Sequence, residues 1–164
     1  MSKFELSRMS NDNWSTPKQL YDVLNKEFNF NDDPCPLNGT GGWEREWGTS
    51  TFFNPPYSKP EPWCKKAYEE SLKGKTIVGL LRGDTSTKWF HRWCLGKADI
   101  RFIKGRLKFG NIGKPAPFPS IIVIWHSPIP PKDKSLGILG GILSGIKSNI
   151  IIPKSTQSNN TYSF

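Results

Sequence analysis

The stretch TFFNPPYS sets Asn54, Pro55, Pro56 and Tyr57 directly behind a short apolar run. Neither proline can donate to a sheet ladder, so a strand arriving here must stop at the tetrapeptide. The residue before a proline is held in extended geometry. Asn54 therefore leaves its strand rigidly aimed, with its side-chain oxygen and the Pro55 carbonyl free as acceptors and Tyr57 offering an aromatic face beside them. Two fixed acceptors next to a ring suit a planar heterocycle that carries an amino group. Adenine is one such ring. Its exocyclic nitrogen is a poor nucleophile because the lone pair is delocalised. Acceptors on its two N–H groups would favour pyramidalisation, localise that pair for a methyl donor and stabilise the positive charge growing on nitrogen. Stacking on Tyr57 would add roughly 1–3 kcal/mol. No nucleophilic side chain is needed, because the substrate nitrogen itself attacks.

Such a corner works when a sheet presents it at the carboxyl end of a strand, where open α/β sheets bind their ligands. The flanking pattern predicts that sheet. STPKQLYDVLNKEF reads as a helix, with Thr16 as N-cap, Pro17 at the first helical position and Gln19 completing a capping box. Leu20, Val23, Leu24 and Phe28 share its apolar face. FNFNDDP is a short strand ending in acids, and TSTFFN is the strand that carries the corner. A helix follows over 60–72, with Trp63, Ala67 and Leu72 inward, and KTIVGLLR reads as a strand buried on both faces. TSTKWFHRWCLG is a further helix, whose Trp89, Phe90 and Trp93, like Trp63, read as core. ADIRFIKGRLKFG and PSIIVIWHS are two strands with no helix between them, hence an antiparallel edge pair. The alternation predicts an α/β fold, a mostly parallel sheet with helices on its faces. One domain spans 14–126, and 127–164, glycine-rich and then polar, is a C-terminal extension.

A chain of 164 residues with a net charge of +9 and a pI near 9.6 is sized for one domain and an anionic partner, nucleic acid first. From Lys97 to Lys114 six basic residues stand against one acid, Asp99, with Phe102 and Phe109 between them. Arg101, Lys104, Arg106 and Lys108 are the candidate phosphate contacts. Cys35, Cys64 and Cys94 form no Cys-x-x-Cys or Cys/His pairing, so no metal is expected and free thiols in a reducing compartment are. The N-terminus carries charges where a signal peptide would be apolar, and no run reaches membrane-spanning length. The expectation is a soluble, cytoplasmic protein without a membrane partner, its oligomeric state open with a monomer favoured.

In order along the chain, WSTPKQLYDVLNKEFNFNDDPCPLN, NPPYS, TKWFHRW, IRFIKGRLKF and PAPFPSIIVIW resemble the small phage-type DNA N6-adenine methyltransferases, the Dam-like family. The resemblance runs from Trp14 to Trp125. It implies a reduced Rossmann-like class I methyltransferase fold, S-adenosylmethionine as methyl donor, DNA as partner and, for a phage-encoded chain, the host cytoplasm. It implies further that Asn54, Pro55, Pro56 and Tyr57 form the catalytic loop around a flipped base. Trp14, Ser15, Thr16, Pro17, Asp33, Pro34, Cys35 and Asn54 would bind the donor, with Asp32 a second candidate for the acid. Extruding a base costs a few kcal/mol, so phosphate contacts around the site are required.

Three departures stand out. The glycine loop is only NGTGG over 38–42, and twenty residues separate Asp33 from Asn54, so a strand bearing an acid for the donor ribose is missing or compressed. Arg82 and Asp84 stand where a proline and an arginine are expected. Cytosine N4, RNA or a protein amide could use the same acceptor geometry. A nucleic-acid-binding module without catalysis is the alternative of another class.

Overall fold

The computed structural model describes residues 14–36, 42–110 and 115–127. Most of the glycine loop (38–41), Lys114 and nearly all of the C-terminal extension lie outside the described residues. Helix α1 (Lys18–Phe28) is followed by β1 (Ser50–Phe53), α2 (Glu61–Ser71), β2 (Thr76–Arg82), α3 (Lys88–Trp93), β3 (Asp99–Phe102) and β4 (Ser120–Trp125).

The strands lie in the order β1-β2-β4-β3. β1 runs parallel to β2, while β4 is antiparallel to both β2 and β3. Residues 30–32 extend the sheet past β1. Asp32 bridges Thr51 in parallel, Asn31 N–H donates to the Ser50 carbonyl at 2.8 Å, and Phe52 N–H donates to the Asp32 carbonyl at 3.0 Å. The expected mostly parallel sheet is thus corrected to a mixed one. With no helix between β3 and β4 the chain must reverse, and the pair forms as expected. But all six β4 residues are buried, which suits an interior strand, so β4 inserts beside β2 and leaves β3 at the edge.

Alternation along the strands divides the core between two faces. On one, Phe52, Val78, Leu80, Ile122 and Ile124 pack with Leu20 and Leu24 of α1. On the other, Phe53, Ile77, Leu81, Val123 and Trp125 pack with Cys64 and Ala67 of α2 and with Trp89 and Phe90 of α3. Gly79 belongs to this second face, where a Cβ would come within 2.7 Å of the Phe53 ring. Helices therefore cover both faces, as an α/β layer structure requires.

Details of the helices differ from expectation. Pro17 rather than Thr16 is the capping residue of α1, its carbonyl accepting from Tyr21 N–H, and no side chain caps that end. The capping box with Gln19 is absent. Val23 and Leu72 are 40 % and 48 % exposed, because Val23 flanks the Leu20–Leu24 stripe and Leu72 falls just past the end of α2. Near that end the buried Glu70 carboxylate meets Lys66, Lys73 and Lys75 at 2.9, 2.9 and 2.6 Å. The three cysteines are free thiols. Among the described residues no helix is long and apolar enough to cross a membrane.

Candidate active site

Asn54 leaves β1 on the face of Phe52, one residue beyond the strand. Its Nδ2 donates to the Trp14 carbonyl at 2.5 Å and to Thr16 Oγ1 at 3.1 Å. Those bonds fix which end of the amide points where. Oδ1 is buried and has no hydrogen-bond partner, and an unmet buried acceptor costs about 1–3 kcal/mol. The oxygen is poised for a donor.

Pro55 is buried and Pro56 half-buried behind it. The Tyr57 ring, 8 % exposed, stacks against Trp14 at 6.5 Å between centroids and meets Phe118 and Phe109 edge-on at 5.2 and 6.3 Å. Its hydroxyl too is buried without a partner. Burial pushes its pKa far up, against a smaller opposing pull from the Arg82 charge, so it stays a neutral O–H. Trp14, Tyr57, Phe109 and Phe118 make an aromatic box at the mouth of the sheet.

The segment after β3 closes this box and brings basic groups with it. Leu107 and Phe109 are buried in the α1-side core, and Gly110 N–H donates to the Ser15 carbonyl at 3.3 Å. Lys104, Arg106 and Lys108 on the same segment are exposed. Phe109 is thus a core residue rather than an interleaved surface aromatic, since its ring is needed against Trp14, whereas Phe102 is 64 % exposed. Arg101 stands apart. It grips Glu27 through two hydrogen bonds of 2.7 and 2.5 Å and lies over the Phe28 ring. That hydrogen bonding lowers the Glu27 pKa in spite of partial burial.

Because residues 30–32 run parallel to β1, Asp33, Pro34 and Cys35 leave the sheet at the same end as the Asn54 corner. The two acids there differ. Burial opposes the charge of Asp32, but two bonds from Arg45 (2.9 and 2.6 Å) and one from Gly48 N–H outweigh it, and its pKa falls. Asp33 makes no ion pair among the described residues; it accepts from Cys35 N–H at 2.9 Å. Surrounding protein pushes its pKa up, although the residue is exposed by area, so water screens much of that push. Burial and the neighbouring Asp33 charge raise the Cys35 pKa to about 11, leaving a neutral thiol. Gly42 lies so close to Pro34 that a Cβ would fall 1.6 Å from its carbonyl oxygen. An unpaired carboxylate on this edge fits a donor carrying sulfonium and ammonium charges.

Two residues at the site went unassigned in the sequence. Phe118 completes the box. Ser120 sits opposite Arg82 in the β2–β4 register, and Arg82 itself registered only as a departure. The usable signal was alternation along KTIVGLLR, which puts Arg82 on the face of Val78 and Leu80.

Comparison with known proteins gives the family. The family model described as DNA N-6-adenine-methyltransferase (Dam) matches residues 3–133. A "DNA N-6-adenine-methyltransferase" of Haemophilus phage HP1 (strain HP1c1) is 31 % identical over 130 residues, 68 % of this chain and 73 % of that protein. One of the same description from Escherichia phage T1 is 30 % identical over 110 residues, 58 % of this chain and 46 % of the relative, so the match spans less than half of the phage T1 protein. No solved structure gives a significant match. With the family model covering most of its length, the chain belongs to the DNA N-6-adenine-methyltransferase (Dam) family.

Proposed function

We propose that this chain methylates the exocyclic amine of an adenine extruded from DNA, with S-adenosylmethionine as methyl donor. The adenine and DNA specificity follows from the family. The observation that supports the mechanism is the fixed amide of Asn54. Trp14 and Thr16 hold its nitrogen, so its unpartnered oxygen faces the incoming amine. Together with the Pro55 carbonyl it would accept both N–H groups and stabilise charge as the nitrogen attacks. The aromatic box excludes water around that charge, which strengthens each of these interactions. Pro56 fixes the turn and Tyr57 walls the base. Cys35 and Tyr57 are both held protonated, so neither takes the proton the amine sheds.

S-adenosylmethionine supplies an activated methyl group on a positively charged sulfur. Asp33 would hold its cationic part, with Pro34, Cys35 and the segment Trp14, Ser15, Thr16 and Pro17 lining the same edge. We read the mixed sheet with helices on both faces as a reduced Rossmann-like class I domain. Lys104, Arg106 and Lys108 would track the DNA backbone beside the box, with Arg101 as a further contact.

The test is chemical. DNA incubated with the protein and methyl-labelled donor is digested and its nucleosides identified by mass spectrometry. Label on N6 of deoxyadenosine is expected. Label on cytosine N4, or no transfer together with no donor binding by calorimetry, overturns the reading.

A further inference from the structure

Among the described residues, the buried side-chain polar atoms without a hydrogen-bond partner are Asn54 Oδ1, Tyr57 OH, Arg82 Nε and Ser120 Oγ. Register and alternation set them toward one end of the sheet. Alternation puts Asn54 on the face of Phe52, Arg82 on that of Val78 and Leu80, and Ser120 on that of Ile122 and Ile124, which is a single face of the sheet. Arg82 and Ser120 are directly paired across β2 and β4, and side chains of such a pair are neighbours. The Arg82 guanidinium lies 4.9 Å from the centre of the Phe118 ring, and that ring meets Tyr57 edge-on at 5.2 Å. Folded proteins leave few buried polar atoms unmet. Several at one end of one sheet face mark a place where a ligand completes the bonding.

The atom types say which ligand. Asn54 Oδ1 accepts, Arg82 Nε donates, and the two hydroxyls can do either. Their complement is an N–H donor beside an acceptor, the edge that an aminated heterocycle shows where its amine flanks a ring nitrogen. We propose that Arg82 and Ser120 hold the ring-nitrogen edge of the target base while Asn54 accepts its amine, which makes Arg82 a substrate-positioning residue. This deepens the methyl-transfer reading and rests on it. Contacts on two sides of the amine fix the rotation of the base in its own plane, so that the amine rather than a ring atom meets the donor. Asp84 Oδ2 lies 3.0 Å from Arg82 Nε as an ion pair, without the alignment of a hydrogen bond.

The test crosses protein and substrate variants. Arg82→Met and Ser120→Ala in the full chain are assayed on DNA carrying adenine, 7-deazaadenine or 1-deazaadenine, alongside donor affinity and thermal midpoint. Each variant is expected to lose about ten- to a hundredfold in kcat/KM on adenine DNA with donor affinity and midpoint retained. One of the two deaza bases is expected to cost the unmodified protein a similar factor and Arg82→Met almost nothing further. Full activity of both variants, or losses from variant and deaza base that simply multiply, overturns the assignment while leaving the methyl-transfer reading intact. Loss of donor binding or of thermal stability in step with turnover shows a purely structural role and overturns it as well. If the unmodified protein methylates no DNA, the underlying reading falls and this inference with it.

Discussion

In the proposed mechanism Asn54 performs two tasks with one amide: its nitrogen donates toward the segment before α1, and its oxygen would accept the amine. Its aim is legible from local rules, because the two prolines act on the residues beside them. The partner that orients it is not: Thr16 lies 38 residues away, and its Thr-Pro context reads equally well as a helix cap. The two roles separate in a Thr16→Val variant, which keeps the shape and removes Oγ1. A cap would cost about 1 kcal/mol of stability and leave turnover alone. With Thr16 as a strut for Asn54, kcat is expected to fall about two- to tenfold with the thermal midpoint unchanged. Parallel kinetics and calorimetric melts decide between them; unchanged kcat contradicts the strut. Asp33 and Asp32 show the same limit. Adjacent in sequence, they are told apart by tertiary partners: Arg45 and the Gly48 N–H hold Asp32, whereas Asp33 accepts from Cys35 N–H.

At the scale of elements, apolar runs identified the strands, and hydrophobic periodicity together with proline and glycine placement identified the helices. The order of the strands depends on which neighbour each buries itself against, and one sequence carries little of that; the uninterrupted SIIVIW run was the available sign that β4 lies inside. Helix α2 is anchored near its C-terminus by Glu70. Burial works to raise its pKa, but the bonds from Lys75, Lys66 and Lys73 outweigh it and bring the value to about 2. The carboxylate exposes no surface, although the protein shell around it is thin. A folded pKa below the unfolded one means the stabilisation is present above about pH 4.5 and is lost as pH falls toward 2. Thermal melts should therefore drop through that window. Glu70→Gln should flatten that part of the curve and cost about 3 kcal/mol at neutral pH, the low end for breaking a buried pair because Lys73 is half exposed. Equal midpoints at neutral pH for both proteins would contradict the anchoring role.

At the scale of the whole molecule, a charge of +9 predicted an anionic partner correctly in kind, in line with the family. Which basic groups remain available depends on tertiary pairing, and the sequence could not show that Arg101 closes on Glu27. Arg106, exposed on the segment that seals the aromatic box, is the better probe. Arg106→Ala is expected to weaken DNA binding and to reduce the slope of log K against log salt by about one. Anisotropy titrations over a salt series check this, and an unaltered slope returns Arg106 to ordinary surface. In the proposed mechanism sheet, box and basic edge all serve one buried oxygen, Asn54 Oδ1. Single-turnover methyl transfer by Asn54→Ala, with donor affinity measured calorimetrically, tests the amide that carries it. The rate should fall about a hundred- to a thousandfold, well beyond any loss of donor affinity; transfer at the unmodified rate would contradict the mechanism.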